Sequence, residues 1–410
     1  MKKKFCIILT ILISMNILLL GCGNKELKKK FDVKTSTWEE IEENGKGKEV
    51  YFYGWGGDPK INKWIDDVLG KEVKDKYNIT LKRVPMNIDE ILVKLLGEKN
   101  LEAEGTIDIV WINGENFFTA KENELLEGPF LEKLPNGKKY LDLNDVELKY
   151  DFGFSIDGHE APYGKAQFVF IYDEEAIEKF PRDHKEFLEF AKDNKGKVTY
   201  PAPPDFVGSA FVRNIIYDIV GYEKFINMEP DYEVVKKEIM PAIDYLKELK
   251  PYLWREGKAY PSTMAQLENM FADGEVIMTM DYNPNKASRK ISDGQFKNTT
   301  KTAIFNKGSV GNTHFVAIPK NSTNKEAALL VINEIISPKM QASKYDPQVW
   351  GDLPVLDNSK LSSDERKLFD SVVLGDATID QKVLLDKRLP EMPAKLIPII
   401  EKIWEEELLK

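Results

Sequence analysis

The stretch "IDIVWINGENFF", Ile107 to Phe118, sets an unbroken apolar run against a small, polar, turn-forming segment. An apolar run of this length, bounded by turn formers, reads as a strand buried on both faces. Asn113, Gly114, Glu115 and Asn116 follow where such a strand hands over to a helix. Ligands of open α/β sheets sit beyond the carboxyl ends of the strands. A second junction of the same kind is "EVYFYGWGGDP", Glu49 to Pro59.

Working outward, strands and helices alternate. Strands are predicted at Glu49 to Tyr53 and Ile79 to Val84, ahead of Ile107 to Ile112. Between them, Pro59 to Tyr77 carries Ile61, Trp64, Ile65, Val68 and Leu69 on one helical face. Asn87 to about Asn100 does the same with Ile88, Ile91, Leu92, Leu95 and Leu96. This β-α-β-α-β order predicts a parallel sheet with helices on both sides. Upstream, Thr37 and Glu40 have capping-box spacing, which predicts a helix to about Asn44 that stops at Gly45.

After Tyr150 an extended stretch, "APYGKAQFVFIYD", leads into a second helical series, and "GEVIMTMDYN" and "THFVAIPKNS" are again strand-like. The pattern suggests two α/β lobes. Crossings are expected near Gly158 to Tyr163, Asp273 to Ile277 and Val316 to Lys320, each with Gly or Pro close by to absorb a rotation. On that division residues 37–162 and 274–318 form the first lobe, and 163–273 and 319–410 the second. A cleft between such lobes is a favoured place for a small ligand.

The amino end reads as an export signal. Lys2 to Lys4 are basic, Phe5 to Leu20 is almost wholly apolar, and Leu19-Leu20-Gly21-Cys22 ends the segment like a lipobox. Residues 1–21 are then a signal peptide, Cys22 the lipidated residue, and 22–36 a polar tether. The alternative is an uncleaved anchor, for which the run is short. Cys6 leaves with the signal, so no disulfide remains, and 410 residues suffice for a core without one. The net charge of −10 falls to about −13 once the three lysines leave, which argues against nucleic acid and against a broad anionic-lipid-binding face.

Catalytic and metal patterns are sparse. His159, His184 and His314 have no paired zinc spacing, and there is no G-x-S-x-G elbow. Paired carboxylates alone mean little in so acidic a chain. No metal site and no cofactor are expected.

Taken together, the lipobox, "YGWGG", "IDIVWINGENF", "DFGFSIDGHEAPYGKAQFVFIYD", "VTYPAPPDFVGSAF" and "THFVAIPKNS" resemble the solute-binding lipoproteins of ABC importers, YnjB-type subgroup. That subgroup is distantly similar to binding proteins for thiamine, polyamines and ferric iron. The resemblance spans the chain from about Trp38 onward. It implies a periplasmic-binding-protein-like (type II) α/β fold of two lobes, no catalysis, and delivery of a small polar solute to a permease and its ATPase. A monomer anchored only through its lipid is expected. The competing reading is a secreted hydrolase or carbohydrate-binding lipoprotein on the same scaffold.

Candidate ligand contacts follow from the junctions. Trp55 would cover an apolar or cationic ligand, with Gly56 and Gly57 letting backbone approach it, or the three form only a tight turn. Asn113, Glu115 and Asn116 supply donors, acceptors and a charge, or merely cap a helix. Asp205 and Phe206 follow three prolines that restrict the backbone; the alternative is a helix cap and a buried ring. Tyr163 and Gln167 alternate with Lys165 on one face, lining the cleft or supporting the hinge. Asp281, Tyr282 and Asn283 end a returning strand, and Asn312 and His314 are weaker candidates. The ligand's charge stays open, since an acid-bearing, Trp-rich cleft suits a cation and glycine turns at helix starts suit an anion.

Replacing Cys22 by Ser is expected to move the protein out of the membrane fraction of its host; retention there would instead indicate an uncleaved span.

Overall fold

The computed structural model describes residues 31–409; the expected signal peptide and Cys22 lie outside the described residues. The first helix, α1 (Trp38–Gly45), carries the expected capping box, with both Thr37 and Glu40 engaged. Its end differs from expectation in cause. The left-handed residue is Gly47 (φ 74°), whereas a Cβ on Gly45 would lie 2.8 Å from Leu330 Cδ1. Gly45 lets two helices approach closely rather than stopping one.

Strand β1 (Glu49–Gly54) leads to α2 (Pro59–Lys63), a π-helical turn (Trp64–Leu69) and α3 (Gly70–Tyr77). Then come β2 (Thr80–Pro85), α4 (Ile88–Asn100), β3 (Ile109–Ile112) and α5 (Gly114–Glu122). β1 pairs in parallel with β2 and β3, as the alternation requires. A small hairpin, β4 (Tyr150–Asp151) and β5 (Phe154–Ser155), precedes β6 (Glu160–Gln167).

The second sheet is antiparallel, with β7 (Val169–Asp173) between β8 (Met278–Asp281) and β9 (Thr300–Ala303). Around it lie α6 (His184–Asp193), α7 (Phe206–Val220), α8 (Tyr232–Leu249), α9 (Met264–Ala272) and α10 (Lys286–Ser292). The chain returns through β10 (Ser309–Ala317) to α11 (Lys325–Ile335) and α12 (Pro338–Tyr345), and ends with β11 (Arg388–Pro390) and α13 (Ile397–Trp404). β10 runs antiparallel to both β3 and β6, so the first sheet is mixed rather than wholly parallel.

Two hydrophobic cores divide the chain. One gathers Val50, Phe52, Trp64, Ile109, Tyr163, Phe315, Leu329 and Trp350; the other gathers Phe168, Phe170, Phe211, Val276, Met280, Phe305 and Trp404. This two-lobed α/β arrangement agrees with the expected class, but the boundaries fall elsewhere. Residues 276–310 belong with the second core, because β8 hydrogen-bonds to β7 and not to the first sheet. Residues 325–355 belong with the first, because α11 packs against it. The chain passes between cores at 163–166, at 310–315 and between 355 and 377, not at Asp273 to Ile277.

The first two crossings are the paired strands β6 and β10, whose register shifts between His314 and Phe315 where the cores part. Gly164 is required there: a Cβ would sit 1.8 Å from Asp352 Oδ2.

Beside this ribbon, Glu160 is fully buried and neither carboxylate oxygen has a hydrogen-bond partner. Burial, reinforced by the nearby Asp151, drives its carboxyl well above the usual range. A raised folded-state pKa means that its contribution to stability is complete below the unfolded value, near pH 4.3, and is lost as pH rises through the folded one. Glu160→Gln is therefore expected to be more stable than the parent at pH 8, by about 1–3 kcal/mol. The gap should narrow towards pH 4.5 in urea melts; a parent that is the more stable at pH 8 would refute this.

Candidate ligand-binding cleft

A cleft of about 650 Å³ opens between the two cores and takes residues from both. The carboxyl ends of β1 and β3 supply the first wall, as their topology requires. Trp55, just past β1, is half exposed on the cleft, and Asp58 caps α2 through Oδ1, which accepts from Lys60 N at 2.8 Å. Near the end of β3, Trp111 Nε1 donates to Asn113 Oδ1 at 3.0 Å. Asn113 Nδ2 donates in turn to the Thr313 carbonyl at 2.9 Å, tying β3 to β10. The amide of Gly114 (φ 60°) donates to Asp151 Oδ2 at 2.5 Å, so Asp151 caps α5 and Asn113 does not. Glu115 lines the cleft, its carboxylate accepting from Asn116 Nδ2 at 3.3 Å and from its own backbone amide.

The second wall starts at α7. Asp205 caps that helix through Val207 N and Gly208 N, both at 3.0 Å, and its other oxygen accepts from Met264 N at 2.9 Å. Phe206 stays half exposed over the cleft, its ring 4.9 Å from Tyr282 and 5.9 Å from the Arg213 guanidinium. Arg213 makes a buried two-pronged pair with Glu391 at 3.0 Å, and the Tyr282 hydroxyl donates to the same carboxylate. This network fixes the ring positions from behind.

Ion pairs and amides join the walls along one side. Arg289 on α10 meets Asp58 at 2.7 Å across the cleft. Burial pushes the Asp58 carboxyl up, but the Arg289 charge and hydrogen bond outweigh it and hold the carboxyl below its usual range. Asn285 Nδ2 donates to the Gly351 carbonyl at 2.7 Å, and Lys60 meets Asp293 at 2.9 Å. Lys286 lies between Glu268 (3.0 Å) and Asp281 (3.3 Å). Burial pulls its ammonium down and the two carboxylates more than restore it. At the floor, His314 Nε2 is 3.1 Å from Asp352, whose other oxygen meets the fully buried Lys344 at 2.8 Å.

The structure brings Trp55, Asn113, Glu115, Asn116, Asp205, Phe206, Asp281, Tyr282, Asn283, Asn312 and His314 to one cleft. It does not bring Gly56, Gly57, Tyr163 or Gln167 to its surface. A Cβ on Gly57 would lie 2.3 Å from the Trp55 ring, and one on Gly56 2.5 Å from Pro85. These glycines make room for the chain's own side chains, not for a ligand's approach. Tyr163 is fully buried, 5.3 Å edge-on to Trp111 and 5.6 Å from Trp350. Gln167 is buried too, donating to Ser309 Oγ at 3.1 Å. Both stiffen the crossing strands. Sequence reading missed Asp58, Met86, Trp111, Lys286, Arg289, Trp350 and Asp352. Trp111 was visible inside the quoted strand; nothing local marked Arg289 or Trp350.

Among the described residues, no three His, Cys, Asp or Glu side chains are grouped to hold a metal ion. The cleft lining contains no Ser, Thr or Cys, and its one histidine is tied to Asp352.

Residues 69–367 match the family described as bacterial extracellular solute-binding protein. Protein YnjB of Escherichia coli (strain K12) is 38% identical over 339 residues, covering 82% of this chain and 87% of the relative. Among solved structures, an ABC transporter from Clostridium perfringens ATCC 13124 superimposes with a TM-score of 0.60 at 19% identity, covering 88% of this chain and 98% of the other. The TpPotD lipoprotein of Treponema pallidum gives 0.62 at 15% identity, over 88% and 100%. At these identities the two structures speak for a shared fold alone.

Because the Asn113 side chain makes two hydrogen bonds, one of them across to β10, and the Glu115 carboxylate crosses to no other strand, their alanine variants should differ. Asn113→Ala is expected to cost about 1–3 kcal/mol in chemical denaturation. Glu115→Ala should stay within about 0.5 kcal/mol. An Asn113→Ala protein as stable as the parent would contradict the geometry.

Proposed function

The chain belongs to the bacterial extracellular solute-binding proteins and serves an ABC importer as its extracytoplasmic receptor, and we propose that Trp55, Glu115, Phe206 and Asn283 contact the solute it carries. The observation that carries this assignment is the cleft itself, walled by side chains from both cores, with Arg289 reaching across to Asp58. A ligand bound between the walls adds contacts to both lobes at once and so favours the closed arrangement. The crossing strands β6 and β10 remain hydrogen-bonded to each other throughout, which leaves rotation about the His314/Phe315 irregularity as the available motion.

The protein turns nothing over, on this proposal. Four of its cleft acids are spent on structure: Asp58, Asp281 and Asp352 are ion-paired, and Asp205 is a helix cap. Among the described residues the lining offers no Ser, Thr or Cys to serve as a nucleophile beside a base. Lipid on Cys22 holds the receptor at the membrane, consistent with the absence of any described helix long and apolar enough to cross it. The receptor acts as a monomer, with the permease and its ATPase as its partners.

The test is to purify the protein natively, denature it, and analyse what is released by mass spectrometry. One small molecule at close to one equivalent is expected, and adding it back should change the tryptophan fluorescence of Trp55, Trp111 and Trp350. Cleavage of ester or glycoside substrates by a protein that carries no small molecule would overturn the assignment in favour of a hydrolase.

A further inference from the structure

The cleft's charges are unevenly spent. Several helices begin at its edge, and a helix start ordinarily offers free amides and a positive dipole end to an anion. Most of these starts are already met by the chain's own carboxylates: Asp58 on α2, Glu90 on α4, Asp151 on α5, and Asp205 on both α7 and α9; the short α10 has no side-chain cap. The cationic side chains of the lining are committed as well. Lys286 faces Glu268 and Asp281, Arg289 faces Asp58, and His314 faces Asp352.

What remains uncommitted is negative. Glu115 and Asp89 line the cleft, and neither is ion-paired to a cation among the described residues. The same cleft is lined by aromatic faces: Trp55 and Phe206, from opposite lobes, are 50% and 47% exposed. A carboxylate beside exposed aromatic rings is the donor set that recognises an organic cation.

We propose that the solute is an organic cation with an apolar or aromatic face, and that Glu115 is its counter-charge. This rests on the receptor assignment above. Glu391 and Glu401, on the second lobe, act electrostatically on Glu115, on the first. Although the Glu115 side chain opens on the cleft, the surrounding walls displace bulk water. That burial, with Glu401 and Glu391 adding to it and Arg213 opposing, lifts its carboxyl above the usual range. A cation placed between the lobes relieves both the desolvation and the repulsion.

The experiment titrates the full mature chain with phenethyltrimethylammonium and with 3-phenylpropionate, following tryptophan fluorescence and melting temperature. It also determines the charge of the solute released from natively purified protein. The ammonium probe should bind at least tenfold more tightly than the carboxylate. Glu115→Gln should lose tenfold or more of that affinity, with the melting temperature of the free protein unchanged or slightly raised. Preference for the carboxylate, equal binding by Glu115→Gln, or no response to millimolar ammonium overturns the inference. So does a released solute that is anionic or neutral, an outcome that leaves the receptor assignment standing. Failure of that assignment shows separately, as substrate turnover without a carried solute.

Discussion

The antiparallel pairing of β6 with β10 is the constraint on which the molecule depends. Each strand begins in one core and ends in the other, and their ladder runs from Gly311 opposite Gln167 to Ala317 opposite Glu160. Backbone bonds of a ribbon resist stretching and shear more than twist, so the lobes stay in register while their angle can change. Side chains enforce the same geometry. Gly164 has no room for a Cβ beside Asp352, and Gln167 and Tyr163 pack on the ribbon from within. The aromatic group of Trp111, Tyr163 and Trp350 fixes the cleft floor to the first core, at ring separations of 5.3–6.1 Å.

Polar groups in the cleft divide between holding the protein together and facing what enters it. Asn113 shows the first use: its amide spans Trp111 and the Thr313 carbonyl, so a residue at the end of a strand becomes a rivet between strands. Asp205 shows it again, with both oxygens filled by backbone amides from two helices. Burying such groups is tolerable because each finds partners. Glu115 is the contrast, a carboxylate at the same kind of helix start with no ion pair among the described residues. A side chain left unpaired among paired neighbours is the natural meeting point for a ligand group.

The two lobes also meet without a ligand. Arg289, Asn285 and Lys60 link α10 to the first lobe on one side. On the other side, the hairpin β4–β5 sends Phe152 into the second core, and its carbonyl accepts from Ala394 N at 2.9 Å. These links favour approach of the lobes but are few and mostly polar. The partly exposed Lys60–Asp293 pair contributes little, whereas Arg289–Asp58 is largely buried.

The sequence by itself determined the elements and their type. Period-3.6 and continuous apolar runs located β1, α2–α3, β2, α4 and β3, and the capping box at Thr37 was legible because its chemistry is local. That the strand ends at Trp55, Asn113–Asn116 and Asp281–Asn283 would meet at one cleft was legible because topology gathers strand ends, and Asp205–Phe206 was marked by the prolines before its helix. Lobe membership was not, because nothing in "GEVIMTMDYN" says whether its partner is β7 or the first sheet; hydrogen bonding between distant segments decides that. The roles of individual polar residues were likewise decided only by the tertiary structure. Whether a carboxylate caps a helix, meets an arginine 231 positions away as Asp58 does, or stays free as Glu115 does depends on what folding sets beside it, and sequence spacing carries no record of that neighbour.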